Sequence, residues 1–134
     1  MRRARSDAAR PRGMTLIEIM VVIAILGMIA AVVAVNVMGA FSSAQRKTVA
    51  MDLKTLESQL DLYIVQKGGL PSQSDGLKTL VQAGIARELP MDPWGHPYRY
   101  VVNGGEVTLT SFGSDGEPGG SDDAADITRT IRMR

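Results

Sequence analysis

Apolar residues follow three different patterns along the chain. From Leu16 to Phe41 they are almost continuous, and across these 26 residues only Glu18 and Asn36 carry strongly polar side chains. A helix rises about 1.5 Å per residue, so about 20 helical residues cross the ~30 Å hydrocarbon core of a bilayer. The run predicts a membrane-spanning helix. Beyond it, apolar side chains recur every three or four residues. Val49, Leu53, Leu56, Leu60 and Tyr63 or Ile64 make one stripe, with Arg46, Lys47, Asp52, Lys54, Glu57 and Asp61 between them. That spacing predicts an amphipathic helix whose stripe packs on the protein's own sheet. One helix is therefore expected from about residue 15 to about residue 67. Lys67-Gly68-Gly69 supplies its glycine terminator.

The third pattern is short and punctuated. Leu77, Leu80 and Val81 predict a brief helix, capped by Ser74 or Asp75 and ended at Gly84. Pro90, Pro93 and Pro97 with Gly95 predict an irregular, rigid connection. The stretches YRYVV (98–102) and EVTLTSF (106–112) alternate in polarity and are separated by Asn103-Gly104-Gly105, which predicts a β-hairpin. ITRTIRM (127–133) can supply a further strand. The expected fold class is α+β: a long N-terminal helix, half for lipid and half amphipathic, packed on a small antiparallel sheet.

Composition sharpens this division. The overall formal charge of +1 hides an uneven distribution. Residues 1–13 hold five arginines (Arg2, Arg3, Arg5, Arg10, Arg12) against one acid, Asp7, and the remainder is formally −3. An arginine-rich start stays in the cytoplasm and sends the C-terminal domain across the membrane. The mildly acidic remainder argues against a nucleic-acid partner, which needs clustered Lys and Arg. No cysteine is present, which removes disulfides and thiolate metal sites, and a single histidine, His96, removes multi-histidine sites. The domain after the apolar run has to be stable on a modest core.

Glu18 is the costly residue, a carboxylate just inside an apolar run. Three readings of the first 40 residues compete. The run is too long for a conventional secretory signal, and no small-x-small cleavage site follows it cleanly. A plain membrane anchor fits the length but leaves Glu18 without a role beyond the favourable dipole of a first helical turn. The third reading is a signal cut before the apolar run.

Two further stretches carry possible chemistry. SFGSDGEPGGSDD (111–123) places Asp115, Glu117, Asp122 and Asp123 among four glycines and a proline. Crowded carboxylates repel one another unless a positive charge lies between them. Calcium takes six to eight oxygens from carboxylates and carbonyls, and glycines let carbonyls turn inward. The spacing is not that of an EF-hand, and a solvated acidic loop is the competing reading. In the other stretch, His96 has Asp92 nearby but no cysteine and no serine in a nucleophile context. His96 is expected to be a surface or packing residue, and Trp94 to anchor its loop on the core.

Several motifs resemble a known family. GMTLIE (13–18) resembles the prepilin peptidase site of type IV pilins and pseudopilins. LPSQSDGLKTLV (70–81), LPMDPWGHPYRY (89–100) and SFGSDGEPGGSDD (111–123), in that order, resemble the major pseudopilins of type II secretion systems, general secretion pathway protein G. Met14 stands where the family usually has Phe, and Val35 where pilins have a proline. Type IVa pilins share only the N-terminal half and usually carry a C-terminal disulfide.

The resemblance implies a type IV pilin-like fold. It implies a basic leader (1–13) cleaved between Gly13 and Met14, with Met14 then N-methylated. A transmembrane and polymerisation helix (14–41) and a periplasmic domain (42–134) follow. Glu18 would pair with the N-terminal amine of a neighbouring subunit during assembly. A structural calcium would be held by the side chains of Asp115, Asp122 and Asp123 and the carbonyls of Phe112, Glu117 and Gly120. Implied partners are further copies of the chain, minor pseudopilins, an inner-membrane assembly platform and the prepilin peptidase. The implied location is the inner membrane, then a periplasmic pseudopilus of a Gram-negative bacterium that exports folded proteins. A type IV pilin, a minor pseudopilin and a non-polymerising membrane-anchored calcium-binding domain are the alternatives.

Overall fold

The computed structural model describes residues 13–132. The leader arginines and Asp7 therefore lie outside the described residues, as does Met133. Helix α1 (Leu16–Lys67) is a single 52-residue helix. It is followed by α2 (Lys78–Gln82), β1 (Arg99–Asn103), β2 (Glu106–Ser111), a 3-10 turn (Asp122–Ala124) and β3 (Ile127–Arg132). Two compact units divide between Gly39 and Ala40.

In the first unit the helix is apolar on every side. All residues from Gly13 to Phe41 are exposed. Among the described residues α1 is the one helix long and apolar enough to cross a membrane. The helix continues through Val35, the position where pilins have a proline. Asn36 turns its polar end back onto the helix, with Nδ2 donating to the Val32 carbonyl at 3.0 Å.

In the second unit the predicted stripe becomes the core. Val49, Leu53, Leu56 and Leu60 are buried, while the charged positions between them face solvent or reach partners. They cluster with Leu77, Leu80, Tyr98, Tyr100, Val107, Leu109 and Ile131, and Tyr63 and Trp94 pack at the margin. Gly68 ends α1 in the left-handed region (φ +76°), with its N–H donating to the Ile64 carbonyl at 2.8 Å. That is the terminator a glycine provides without a Cβ clash.

The sheet is an antiparallel meander in the order β1-β2-β3. Alternation along β2 sends Val107, Leu109 and Ser111 inward. Val107 pairs with Val102 on one side and Ile131 on the other, and Leu109 pairs with Tyr100. Gly104 and Gly105 both have positive φ, as a two-residue hairpin turn matching the strand twist requires. The outer edge of β1 is blocked by Gln73. Its Nε2 donates to the Tyr100 carbonyl at 3.0 Å, and its Oε1 accepts the Val102 N–H at 2.8 Å. A side-chain amide thus takes the place of a neighbouring strand on an otherwise open edge.

One expectation is corrected. Neither Ser74 nor Asp75 caps α2, because Leu77 occupies the cap position and no side chain bonds there. These residues are used one turn earlier. Ser72 Oγ donates to Asp75 Oδ2 at 2.7 Å and accepts the Asp75 N–H at 3.1 Å, closing a turn that Gly76 completes.

Tyr98 joins α1 to the sheet by donating to Asp52 Oδ2 at 2.7 Å. Burial first, and then the bond to the Asp52 carboxylate, raise its pKa far above the ordinary tyrosine value near 10. Tyr100 is also raised, chiefly by burial. Raised folded-state values favour the neutral phenols, so this stability is fully present below about pH 10 and is lost as pH rises toward the folded pKa values. Urea midpoints should be flat from pH 7 to 9.5 and fall above pH 10. Tyr98→Phe should make that alkaline fall shallower, and an unchanged slope would refute the assignment.

Candidate functional site

The helix start is built by four residues. Gly13, Met14 and Thr15 precede α1 outside regular structure and are exposed. The Thr15 carbonyl accepts the Ile19 N–H at 3.3 Å, which makes Thr15 the residue before the first helical position. Thr15 Oγ1 accepts the Glu18 N–H at 3.3 Å, and Glu18 Oε2 accepts the Thr15 N–H at 3.4 Å. The pair is a reciprocal capping box, T-x-x-E, placed directly before an apolar run. The sequence reading gave Glu18 the helix dipole and an assembly role and overlooked this bond. The spacing of Thr15 and Glu18 was the signal that could have revealed it.

The geometry explains why a carboxylate is tolerated there. Two of the four unpaired N–H groups at the helix start are satisfied, and the negative charge sits at the positive end of the dipole. Gly13 and Met14 remain accessible, with Met14 65 % exposed, so the peptide bond between them is open to an enzyme.

The acidic loop folds back on itself between β2 and β3. The Ser114 N–H donates to the Asp123 carbonyl at 2.9 Å. Asp115 Oδ1 accepts the Glu117 N–H at 3.1 Å, and Asp126 Oδ2 accepts the Gly119 N–H at 3.0 Å. A Cβ on Gly113 would lie 2.7 Å from the Asp123 carbonyl oxygen, and one on Gly120 would collide with that of Ala124. Both glycines also have positive φ, so the loop needs them twice over. Asp122 has φ +52°, the one positive value on a non-glycine among the described residues.

Of the expected side-chain ligands, Asp122 and Asp123 lie together in the 3-10 turn, while Asp115 caps its own part of the loop. Among the described residues no three Asp, Glu, His or Cys side chains converge closely enough to share an ion. The donors are nonetheless all oxygen, the chemistry calcium takes and softer metals do not favour. Gly113 and Gly120 leave room for the carbonyls of Asp123 and Ala124, the first of which already accepts the Ser114 N–H. By donor type alone, the neighbouring side chains of Asp122 and Asp123 suit calcium.

The DPWGH turn supports this loop. Asp92 is buried, with Oδ1 accepting the N–H groups of Trp94 at 3.2 Å and His96 at 2.8 Å. Its Oδ2 accepts from the buried Ser111 hydroxyl at 2.7 Å, and that hydroxyl oxygen accepts the Gly113 N–H at 3.3 Å. Each donor would cost roughly 1–3 kcal/mol if buried without a partner. His96 Nδ1 lies 3.2 Å from the Gly113 carbonyl, and the ring packs on Gly116. His96 is thus a packing residue at the base of the loop, and Trp94 packs on the core as expected. The sequence reading treated Asp92 only as an acid near His96, because burial cannot be seen in a proline-rich stretch without periodicity.

These features match known proteins. Residues 36–130 match the family model described as Type II secretion system (T2SS), protein G, and residues 9–34 match the Prokaryotic N-terminal methylation motif. A type II secretion system core protein G of Klebsiella pneumoniae is 41 % identical over 134 residues, covering 89 % of this chain and 96 % of the relative. One from Pseudomonas aeruginosa is 41 % identical over 130 residues, covering 86 % and 92 %. Among solved structures, the major pseudopilin from the type 2 secretion system of enterohaemorrhagic Escherichia coli superposes with a TM-score of 0.60 at 35 % identity. That match covers 69 % of this chain and 92 % of the pseudopilin. With a long helix ahead of a three-stranded sheet and a family match over most of its length, the chain belongs to the type II secretion system protein G family.

Proposed function

We propose that this chain is the major pseudopilin of a type II secretion system, a filament subunit and not an enzyme. The observation that carries the reading is the apolar half of α1. It is exposed on every side and carries a capped carboxylate, Glu18, in its first turn. An apolar rod of this kind has two suitable environments, lipid and a bundle of identical rods. The precursor inserts in the inner membrane with its arginine-rich leader in the cytoplasm. The prepilin peptidase cuts after Gly13 and methylates Met14. The new amine then adjoins Thr15, whose N–H Glu18 accepts, and as subunits add, the same carboxylate would pair with such an amine on a neighbouring subunit. Extraction of subunits by the assembly platform builds a periplasmic pseudopilus that minor pseudopilins complete and that drives folded proteins outward.

Calcium is part of the same proposal. Asp115, Asp122 and Asp123 would hold it by side chains and Phe112, Glu117 and Gly120 by carbonyls. Its contribution is structural, closing the loop of a small domain that has no disulfide.

Co-expression with a prepilin peptidase tests the reading. Mass spectrometry should find Met14 as the N-terminus, carrying one methyl group. Overproduction with the secretion machinery should give filaments visible by electron microscopy. A chain that keeps its leader, or is cut elsewhere, would overturn the proposal.

A further inference from the structure

The acidic loop is fastened to α1 at two points one helical turn apart. Ser42 Oγ donates to Asp123 Oδ2 at 2.8 Å. Arg46 Nη1 donates to the carbonyl oxygen of Asp122 at 2.7 Å. Residues four apart share one helix face, so the two donors act side by side. Ser42, Arg46, Asp122, Asp123 and Ala125 together line an open cavity of about 510 Å³.

The two bonds act on consecutive acids. Asp122 has a backbone conformation that side-chain-bearing residues rarely adopt, and such conformations persist when surrounding contacts hold them. The Arg46 bond is a contact of that kind. The Ser42 bond fixes one oxygen of the Asp123 carboxylate and leaves the other for a cation. Outer-shell hydrogen bonds of this type orient ligand carboxylates, and losing one typically weakens metal affinity by roughly 10–100-fold.

We propose that Ser42 and Arg46 form a latch that positions Asp122 and Asp123 for calcium and couples the ion to α1 directly after its apolar segment. This rests on the calcium reading above. Ser42 and Arg46 are positioning residues and do not touch the ion. Coupling is reciprocal, so calcium should also stiffen the helix at the latch.

Titration calorimetry of the full chain in detergent micelles provides the test. Ser42→Ala and Arg46→Gln should each weaken calcium binding by about tenfold. Ser42→Thr, which keeps the hydroxyl, should restore affinity. Arg46→Gln is diagnostic, because a cation that merely lies near the loop would repel calcium, and its removal would tighten binding. Hydrogen exchange of amides 46–50 should slow on adding calcium to the wild type and not to Ser42→Ala. Melts in chelator show that the variants are folded. If the wild type binds no calcium, the underlying reading fails. If it binds and both variants bind equally well or better, with exchange unaffected, the latch is refuted.

Discussion

Replacing Glu18 with glutamine or lysine should abolish filament assembly, while the chain should still insert in the membrane and still be cut after Gly13. Two contributions of Glu18 differ in size. Its capping box is exposed and its bonds are long, 3.3 and 3.4 Å. Losing such a cap costs about 0.5–2 kcal/mol. In the proposed filament, pairing with the amine of a neighbouring subunit would take place among apolar helices, away from water. Removing one partner of a buried ion pair costs about 3–5 kcal/mol, because the other charge is left alone. At 1.4 kcal/mol per factor of ten, each added subunit should bind at least ~100-fold more weakly.

Glutamine separates the two contributions. A capping box accepts Glu or Gln at its fourth position, so Glu18→Gln keeps the helix start and loses only the charge. Glu18→Ala loses both. Sheared filaments and electron microscopy report assembly, and membrane fractionation with mass spectrometry of the N-terminus reports insertion and cleavage. Glu18→Gln that fails to assemble assigns the role to charge. Glu18→Gln that assembles like wild type, beside a failing Glu18→Ala, reduces Glu18 to a helix cap and removes the amine pairing from the proposal.

Much of this fold was legible from spacing alone. The stripe Val49, Leu53, Leu56 and Leu60 is continuous at helical period, and all four residues are buried. Asn103-Gly104-Gly105 between two alternating stretches specified the hairpin, because two positive φ values in a row favour glycine so strongly. Relations between distant residues were not legible. Asp92 with Ser111, Ser42 with Asp123 and Tyr98 with Asp52 join positions 19, 81 and 46 residues apart. No local pattern encodes such pairs, since they form only when segments distant in the chain pack together. The cap of α2 failed for a related reason. Ser72, Ser74 and Asp75 are equivalent as turn-formers, and Ser72 closed the turn before a helix could use the others. Thr15 and Glu18 stand apart from these cases, because their box is local and written in the sequence.

The second large effect is on thermal stability: chelating calcium should lower the melting temperature of the second unit by roughly 10–20 °C. Binding only the folded form stabilises it by mass action, about 2.7 kcal/mol at a hundredfold excess of ion over the dissociation constant. With about 1 mM calcium, that is a site of about 10 µM, within the range oxygen-only loops reach. A domain of under 100 residues shifts by roughly 4–8 °C per kcal/mol, which gives the stated interval. A site ten times weaker would still give about 1.4 kcal/mol. Magnesium should not replace calcium, because it demands a tight octahedron and holds its water, which a loop of carbonyls and Asp side chains does not satisfy. The measurement is a melt of the full chain in micelles, with calcium, with excess chelator, and with magnesium. Asp123→Ala should melt at one temperature with calcium and with chelator, at or below that of the chelated wild type, because it also loses the Ser42 bond. If chelation moves nothing in the wild type, the loop between β2 and β3 is held by the protein's own bonds, those of Asp126, Ser42 and Arg46 among them, and if magnesium restores what calcium does, the site is not selective for calcium.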